Sequence, residues 1–342
     1  MTRIITFGEI LIRLKSPGYE RLFQSSMLEA TFGGLSTNVA ISLAQFGMET
    51  VFVSILPRND ISHACIMELR KFGVDTSFIQ FSKGRMGIYF LEAGANQRPS
   101  KVTYDRSASS IALAPLKIMD WKEILKNVNW FHISGITPAL SSSAAALSLK
   151  AVETAKEKGL TVSCDLNYRN QLWKYGKSAK EIMSEIIKSV DICIANEEDI
   201  QKSLGINLNH SGRFEDLEIN EYQQLAITLM KTYPNIKLAA ITLRESKTAN
   251  CNNWSACMYD GREFYVSTKY IINNIVDRVG GGDSFSSGLI YGLNQYESLE
   301  DALEFAVAAS CLKHSIIGDF NRTSVDEVES LMAGNISGRL QR

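Results

Sequence analysis

Short runs of β-branched and apolar residues alternate with helix-length amphipathic segments along most of this chain. The short runs predict strands at 4–8, 51–55, 129–134, 160–166, 190–195 and 237–242. The longer segments predict helices at 38–47, 61–73, 142–158, 178–189, 220–232, 283–294 and 301–315. Strands that are separated by helices pair in parallel, with the helices packed on the faces of the sheet. The alternation therefore predicts an α/β protein, a three-layer sandwich with a mostly parallel central sheet.

Two segments, 10–32 and 85–106, interrupt this alternation. Their apolar and polar residues alternate one by one, which is typical of half-buried antiparallel strands. We expect these strands to form a small separate sheet that acts as a lid, within a single domain that spans 1–342. Residues 11–14 could instead extend the first strand.

The charge balance and the cysteines indicate where such a protein works. The chain has 36 Lys+Arg and 37 Asp+Glu, without the basic excess typical of nucleic-acid-binding proteins. It has no apolar run of about 18 residues, and its first residues lead directly into a strand, so neither a membrane span nor a signal peptide is expected. The six cysteines are scattered, and a chain of 342 residues needs no disulfides. We therefore expect a protein of the reducing cytoplasm with no nucleic-acid or membrane partner.

Three consecutive glycines lead into the helix predicted at 283–294 and are followed by Asp283. Glycines permit close approach of a ligand to the backbone, and the N–H groups and dipole of a helix start favour an anion. A carboxylate in the first turn of that helix would lie beside a bound phosphate, where it could accept the proton of an attacking hydroxyl. The alternative is a glycine-rich turn in which Asp283 is a plain helix cap.

Two signatures resemble those of the ribokinase-like carbohydrate kinases. Residues 277–283 read DRVGGGD, similar to the Asp-x-x-Gly-x-Gly-Asp signature near the C-terminus of that family, and residues 33–40 read GGLSTNVA, similar to its N-terminal signature. The resemblance covers about the whole chain and implies a ribokinase-like fold, with ATP and Mg²⁺ as cofactors. It leaves open a requirement for a monovalent cation, and we expect a homo-oligomer. The catalytic roles that it implies are a base and an anion hole, formed by Asp283 and by Gly280, Gly281 and Gly282.

The middle of the chain resembles one branch of this family, the 2-keto-3-deoxygluconate kinases. Three segments carry the resemblance: 131–140 (FHISGITPAL), 164–173 (CDLNYRNQLW), and 104–106 (YDR) with 112–115 (ALAP). It implies ATP-dependent phosphorylation of the 6-hydroxyl of 2-keto-3-deoxygluconate, giving 2-keto-3-deoxy-6-phosphogluconate.

The arginines fit an acidic sugar. Arg169 follows a predicted strand, at the edge where α/β sheets bind ligands, and a guanidinium matches a carboxylate bidentately. Arg106 is predicted on the lid; either arginine could instead be a solvated or ion-paired surface residue. Tyr89 could be a core aromatic of the lid, and Asn38 a helix cap. The substrate-binding residues implied are Gly34, Asn38, Tyr89, Tyr104, Arg106, Arg169 and Asp319.

The nucleotide side departs from the family in two places. Residues 196–199 read NEED where the family has Asn-x-x-Glu near the magnesium and phosphates, so Asp199 is one methylene shorter; an acidic helix start is the alternative. Residues 244–250 lack the glycines with which many relatives turn over the nucleotide. Glu198 could substitute for Asp199, the metal ligands stay unknown, and His132 is predicted to be a core residue. The nucleotide-binding residues implied are Asn167, Asn196, Arg244, Ser246, Gly280 and Gly282.

Other functions stay open at this stage. Within the fold, the alternatives are a fructokinase, a ribokinase or a 5-keto-2-deoxygluconate kinase, and a neutral sugar would leave the arginines without a carboxylate. Outside catalysis, the alternative is a sugar-binding regulatory protein, against which the intact glycine turn and Asp283 argue. A dehydrogenase is disfavoured because no Gly-x-Gly-x-x-Gly follows the first strand.

Overall fold

The computed structural model describes residues 2–207 and 218–335. Its strands are β1 (Arg3–Phe7), β2 (Leu11–Lys15), β3 (Glu29–Gly33), β4 (Glu49–Val53), β5 (Ile55–Leu56), β6 (Gln80–Phe81), β7 (Gly87–Glu92), β8 (Lys101–Asp105), β9 (Trp130–Ser134), β10 (Thr161–Asp165), β11 (Ile192–Ala195), β12 (Leu238–Thr248), β13 (Cys251–Tyr259), β14 (Phe264–Val266) and β15 (Tyr270–Asn273).

The helices among these residues alternate with the strands for most of the chain. They are α1 (Leu35–Gln45), α2 (Asp60–Lys71), α3 (Ser110–Leu113), α4 (Trp121–Ile124), α5 (Ile136–Ala139), α6 (Ser142–Glu157), α7 (Ala179–Ile186), α8 (Glu197–Leu204), α9 (Ile219–Thr232), α10 (Gly281–Gln295), α11 (Leu299–Lys313) and α12 (Val325–Met332), with 3₁₀ turns at Leu116–Ile118 and Ile187–Ser189.

The large sheet has nine strands, in the order β14-β13-β12-β11-β10-β9-β1-β4, with β15 also paired to β13. From β4 to β12 all neighbours are parallel, and β13, β14 and β15 add an antiparallel edge. Successive residues of β1 enter different cores: Ile5 packs with α6 and α9, whereas Ile4 packs with α1, α10 and α11. Since alternate side chains of a strand point to opposite faces, helices cover both faces of the sheet. The predicted α/β sandwich is confirmed.

The small separate sheet is also confirmed; we call it the lid. It has the order β3-β2-β7-β8, so its strands come from within the two segments that interrupt the alternation. Residues 11–14 belong to this sheet and do not extend β1. The central pair β2–β7 is parallel, contrary to the antiparallel pattern expected, because the connection between them is long and includes two helices.

The strand predicted at 237–242 is longer than expected. β12 continues to Thr248 and pairs with β13 in antiparallel register from Ala239–Tyr259 to Thr248–Cys251. Beyond the parallel part of the sheet, this hairpin satisfies the backbone groups of β12. Residues 244–248 are therefore strand.

Other sequence predictions concern single residues. All six cysteines have free thiols. His132 is a buried core residue, as predicted: its Nδ1 lies 2.8 Å from Ser163 Oγ, and burial lowers its pKa to about 3, which keeps the ring neutral. In the described part of the chain, no helix combines the length and apolar character needed to cross a membrane.

Candidate active site

A cleft of about 1130 Å³ lies between the lid and the carboxyl ends of the parallel strands. It is lined on one side by residues at or just beyond the ends of β1, β9, β10 and β11. On the other side it is lined by residues within β7 and β8. Ligands bind at this edge in open α/β sheets. Every residue to which the sequence assigned a role lines the cleft: Gly34, Asn38, Tyr89, Tyr104, Arg106, Asn167, Arg169, Asn196, Arg244, Ser246, Gly280, Gly281, Gly282, Asp283 and Asp319.

The three glycines at the start of α10 differ in what requires them. Gly280 has φ 84°, and a side chain there would place its Cβ 2.2 Å from the carbonyl oxygen of Asp319. At Gly281 a Cβ would lie 2.8 Å from Cε1 of His314. At Gly282, a Cβ would have no heavy atom of the described residues within 4 Å, apart from its chain neighbours and its own helix backbone. Packing explains the first two glycines, whereas Gly282 faces open space in which a ligand could approach the backbone.

This difference predicts opposite behaviour for two alanine variants. Gly281→Ala is expected to lower stability by about 1–3 kcal/mol, because the buried His314 must move. Gly282→Ala is expected to keep the melting temperature but to lower kcat/KM for ATP at least about 10-fold, because its methyl group enters the space of the phosphates. Thermal melts and steady-state kinetics on both variants test this. Normal kinetics for Gly282→Ala would mean that no phosphate approaches this turn closely.

Asn38 of the N-terminal signature donates a hydrogen bond to the carboxylate of Asp283 in the C-terminal signature. Asp283 is 6% exposed, and its Oδ2 accepts a hydrogen bond of 2.6 Å from Nδ2 of Asn38. The Oδ1 of Asn38 accepts one from the backbone N–H of Gly34 at 3.2 Å. Asn38 therefore uses its amide within the protein, both as a local cap and to orient Asp283. The sequence had assigned this side chain to sugar hydroxyls.

Burial raises the pKa of Asp283 to about 7, because the charged carboxylate loses its hydration. The hydrogen bond from Asn38 and the charges of Arg169 and Lys313 act in the opposite direction, since they stabilise the carboxylate. A carboxylate whose pKa lies near neutral pH is well matched to accept a proton in catalysis.

The raised pKa predicts the pH dependence of the activity. Only the deprotonated carboxylate can accept a proton, and the folded protein holds that proton more tightly than an ordinary aspartate with a pKa of 3.8. We expect kcat/KM to fall as the pH drops through about 7, and Asn38→Ala to move this midpoint upward. Profiles of kcat/KM against pH for both proteins check this. A profile that stays flat through neutral pH, or a midpoint that moves downward in Asn38→Ala, would contradict it.

A cluster of buried charges lies beneath the glycine turn. Arg13, on β2, donates to Oδ2 of Asp277 and, at 2.6 Å, to Oδ1 of Asp319. The hydroxyl of Tyr89 donates to the same Oδ1 at 2.5 Å, and its ring packs with Leu11 and Leu91 of the lid. Asp319, assigned to the substrate from the sequence, thus binds both Arg13 and Tyr89, and Tyr89 has the same assignment. The sequence analysis missed Arg13, although its place among inward-facing residues of an alternating strand was a signal.

The two arginines assigned to the sugar carboxylate differ in their surroundings. Arg106 is buried and donates Nε–H to Oε2 of Glu9 at 2.8 Å, with Nη2 bonded to the same oxygen; its guanidinium also faces the ring of Tyr104 at 5.3 Å. Arg169 is exposed, donates Nη1–H to the carbonyl of Tyr168, and forms no salt bridge with any residue that the structure describes. Arg169 is therefore the better candidate for an incoming carboxylate. Glu9, missed in the sequence, directly follows the end of β1 at the ligand edge.

The nucleotide-side residues form a second group. Asn196 caps α8 in a reciprocal capping box with Asp199, whose Oδ1 also accepts from the N–H of Tyr168 at 2.8 Å. The acidic helix start given as the alternative is thus present, and the carboxylate of Asp199 also anchors the segment that carries Asn167 and Arg169. Asn167 has φ 37° and donates to Asp165, and its own Oδ1 is buried without a partner in the described chain. Such an orphan acceptor marks a place where a ligand can donate.

Arg244 and Ser246 lie on the exposed part of β12. Arg278 ties this hairpin to the glycine turn, because its Nη2 donates to the carbonyl of Ala249 at 2.5 Å. Residues 244–250 thus lie on a hairpin that is tied to the segment leading into Gly280–Gly282.

No group of three His, Cys, Asp or Glu side chains within 2–207 and 218–335 is arranged to hold a metal ion. Five carboxylates that line the cleft nevertheless have pKa values raised mainly by burial: Asp165 (to about 8), Glu197 and Asp283 (each to about 7), Asp199 and Asp319. Mg²⁺ takes few protein ligands and keeps several waters. The residues present thus fit a Mg²⁺ that is held chiefly by the phosphates of a nucleotide.

Comparison with known proteins identifies the fold and the family. The family described as pfkB family carbohydrate kinase matches residues 1–319. The crystal structure of 2-dehydro-3-deoxygluconokinase from Thermotoga maritima superimposes with a TM-score of 0.92 and 45% identity, covering 98% of this chain and 100% of that one. Its substrate name is a synonym of 2-keto-3-deoxygluconate, so the resemblance to this branch and the ribokinase-like fold are confirmed.

Two curated relatives show how wide the family is. The 2-dehydro-3-deoxygalactonokinase of Haloferax volcanii is 29% identical over 98% of both chains. Fructokinase-2 of Solanum lycopersicum is 26% identical over 90% of this chain and 89% of its own length. Because the family match extends over residues 1–319, the chain is a member of the pfkB family of carbohydrate kinases.

Proposed function

We propose that this carbohydrate kinase transfers the γ-phosphoryl group of ATP to the 6-hydroxyl of 2-keto-3-deoxygluconate, giving 2-keto-3-deoxy-6-phosphogluconate. The observation that carries the choice of a sugar acid is Arg169, a guanidinium without a salt bridge to any described residue in the cleft that also holds Asp283. The names of the sugar-acid kinases from Thermotoga and Haloferax support the same substrate class.

The chemistry of this substrate suits the cleft. Its carboxylate at C1 and its hydroxyl at C6 are the two ends of one carbon chain, so a residue that fixes the carboxylate also decides which hydroxyl reaches the base. Arg169 holds the carboxylate in this proposal. Tyr104 supports it, together with Nη1 of Arg106, which is not bonded to Glu9. Gly34 and Asp319 shape the sugar site, the latter together with Tyr89 and Arg13.

Asp283 takes the proton of the 6-hydroxyl as its oxygen attacks the γ-phosphorus and the bond to the β-phosphate oxygen breaks, leaving ADP. The N–H groups at the start of α10 have no partner within the helix, and those of Gly280, Gly281 and Gly282 receive the oxygens of the transferred group. Mg²⁺ bound to the phosphates of ATP supplies charge neutralisation. The lid excludes water, which would otherwise compete with the sugar hydroxyl.

On the nucleotide side, Asn167 and Asn196 lie nearest the carboxyl ends of β10 and β11 and serve the phosphates. Arg244 and Ser246, on the hairpin strand, serve the rest of ATP. A cytoplasmic location and a homo-oligomer stay predictions from the sequence; size-exclusion chromatography with light scattering tests the second.

A substrate panel with coupled detection of ADP tests the function. It contains 2-keto-3-deoxygluconate, 2-keto-3-deoxygalactonate, 5-keto-2-deoxygluconate, fructose and ribose, and phosphorus NMR of the product locates the new phosphate. We expect the highest kcat/KM for 2-keto-3-deoxygluconate and a 6-phosphate product. A preference for fructose or ribose would reject the sugar acid and leave the kinase activity intact. A preference for one of the other two acids would keep the carboxylate site and change only the substrate.

A further inference from the structure

Lys313 is a buried lysine that nothing above explains. It is the last residue of α11 and is 0% exposed. Its Nζ donates one hydrogen bond, of 3.0 Å, to the carbonyl of Ile316, and it forms no salt bridge with a described residue. An ammonium that leaves water loses its hydration at a large cost, so a buried lysine without a directly paired carboxylate calls for a reason.

Its position gives that reason. The Cε of Lys313 lies 3.2 Å from the point that a Cβ on Gly280 would occupy, so its side chain is in contact with the turn that begins α10. Burial lowers the pKa of Lys313, whereas the charges of three buried carboxylates, Asp277, Asp319 and Asp283, act in the opposite direction and favour its ammonium form. Lys313 thus places a positive charge next to the turn that the sequence and the cleft both assign to phosphate.

The local charge balance depends on Lys313. Beneath the turn lie two carboxylates, Asp277 and Asp319, and Arg13 bridges them but supplies only one positive charge. Without a second cation, one negative charge would stay buried beside a site that must accept ATP and gain further charge in the transition state. The charge of Lys313 also reaches the base, because it stabilises the carboxylate form of Asp283 and so lowers its pKa. With Lys313, two cations balance the two carboxylates beneath the turn, and Asp283 carries the remaining negative charge.

We propose that Lys313 is a positioning residue for phosphoryl transfer, a built-in cation that neutralises the carboxylates beneath Gly280 and makes a free monovalent cation unnecessary. The inference rests on the proposed role of Gly280–Gly282 as the phosphate-binding turn. An ammonium group and a free monovalent ion carry the same charge and are both held by carbonyl oxygens such as that of Ile316. The side chain therefore supplies permanently what an ion from solution would supply reversibly.

The test compares a variant that vacates the position of Lys313 with one that fills it without charge. Lys313→Ala removes the charge and leaves a space, whereas Lys313→Met removes the charge and keeps most of the volume. We expect kcat to fall about 10-fold to 100-fold in both. Ammonium or potassium chloride should restore much of the activity of Lys313→Ala and little of that of Lys313→Met. Tetramethylammonium chloride at equal ionic strength, too large for the space, should restore neither. The unmodified protein should show the same kcat with and without these ions.

Two further variants show whether an unexpected result contradicts the role of Lys313 or the proposed function. Lys15→Met is the control, since Lys15 is also a buried lysine bonded to a backbone carbonyl, that of Ser16 at 3.1 Å, but it pairs with Glu29 and does not line the cleft; it should keep kcat. Asp283→Asn separates this inference from the proposed function. A large loss in Asp283→Asn with normal kcat in Lys313→Met rejects the role of Lys313 alone. Normal kcat in both variants rejects the placement of the reaction at this turn.

Two further outcomes overturn the inference, and the first of them needs no lysine variant. Activation of the unmodified protein by potassium or ammonium, compared with tetramethylammonium, would show that a free cation is still needed. A folded Lys313→Ala protein whose lost activity no small cation restores would show that the charge is not what the position supplies.

Discussion

An Asp283→Asn variant is expected to lose about 10²–10⁴-fold in kcat, while the KM for ATP changes little. The amide keeps the size of the carboxyl group and can still bond to Asn38, whose Nδ2 lies 2.6 Å from Asp283 Oδ2. What it cannot do is accept the proton of the attacking hydroxyl. Because the glycine turn and its N–H groups are untouched, binding of ATP should survive, and single-turnover kinetics together with ATP titration check both parts.

Asp165→Asn is the matched control for this experiment. Asp165 is also a buried carboxyl in the cleft, but burial raises its pKa to about 8, so it carries a proton at neutral pH and an amide resembles it closely. We expect a much smaller loss of kcat than in Asp283→Asn. Equal losses in the two variants would contradict the assignment of Asp283 as the base, and a near-normal kcat in Asp283→Asn would reject it outright.

The parts of the fold that sequence predicts are those set by local pattern. β10, predicted at 160–166, spans Thr161–Asp165, and α6, predicted at 142–158, spans Ser142–Glu157. Both rest on the period of apolar residues and on flanking breakers. The length of β12 is different, because its last residues form a strand only when β13 returns beside them. Pairing partners are decided by the whole chain, so a local pattern could not reveal them.

The site residues divide in the same way, into those that a local pattern reveals and those that only the fold brings together. The glycine turn is visible in sequence because its chemistry lies in consecutive residues. The side chains that bond around that turn are far apart in the sequence. Arg13 and Asp319 are 306 positions apart, and Asn38 and Asp283 are 245 apart. The sequence therefore identified Asn38 and Asp319 as site residues but not their partners in the fold, which are Asp283 for Asn38, and Arg13 and Tyr89 for Asp319. Glu9 and Lys313 were missed because a lone charged residue has no signature until its neighbours are known.

Arg169 should decide between acidic and neutral sugars. A charge-assisted hydrogen bond to a carboxylate contributes about 1.5–3 kcal/mol, which corresponds to roughly 10–150-fold in kcat/KM. Arg169→Ala is expected to lose about this factor on 2-keto-3-deoxygluconate. Arg169→Lys keeps the charge but loses the planar fork, so it should lose part of it. On any neutral sugar that the kinase turns over slowly, both variants should change kcat/KM far less, because no carboxylate is present to be lost.

Arg244→Ala is the matched control for Arg169→Ala, since both arginines are exposed and line the same cleft. Arg244 lies on β12, on the proposed nucleotide side, so its loss should raise the KM for ATP and leave the preference between acid and neutral sugars unchanged. If Arg169→Ala weakens acidic and neutral sugars equally, Arg169 shapes the cleft and does not bind the carboxylate. Arg106 would then be the residue that selects for the acid, and in the structure it is paired with Glu9. Because Glu9→Gln removes the charge that holds this guanidinium, it would be expected to strengthen binding of the acid.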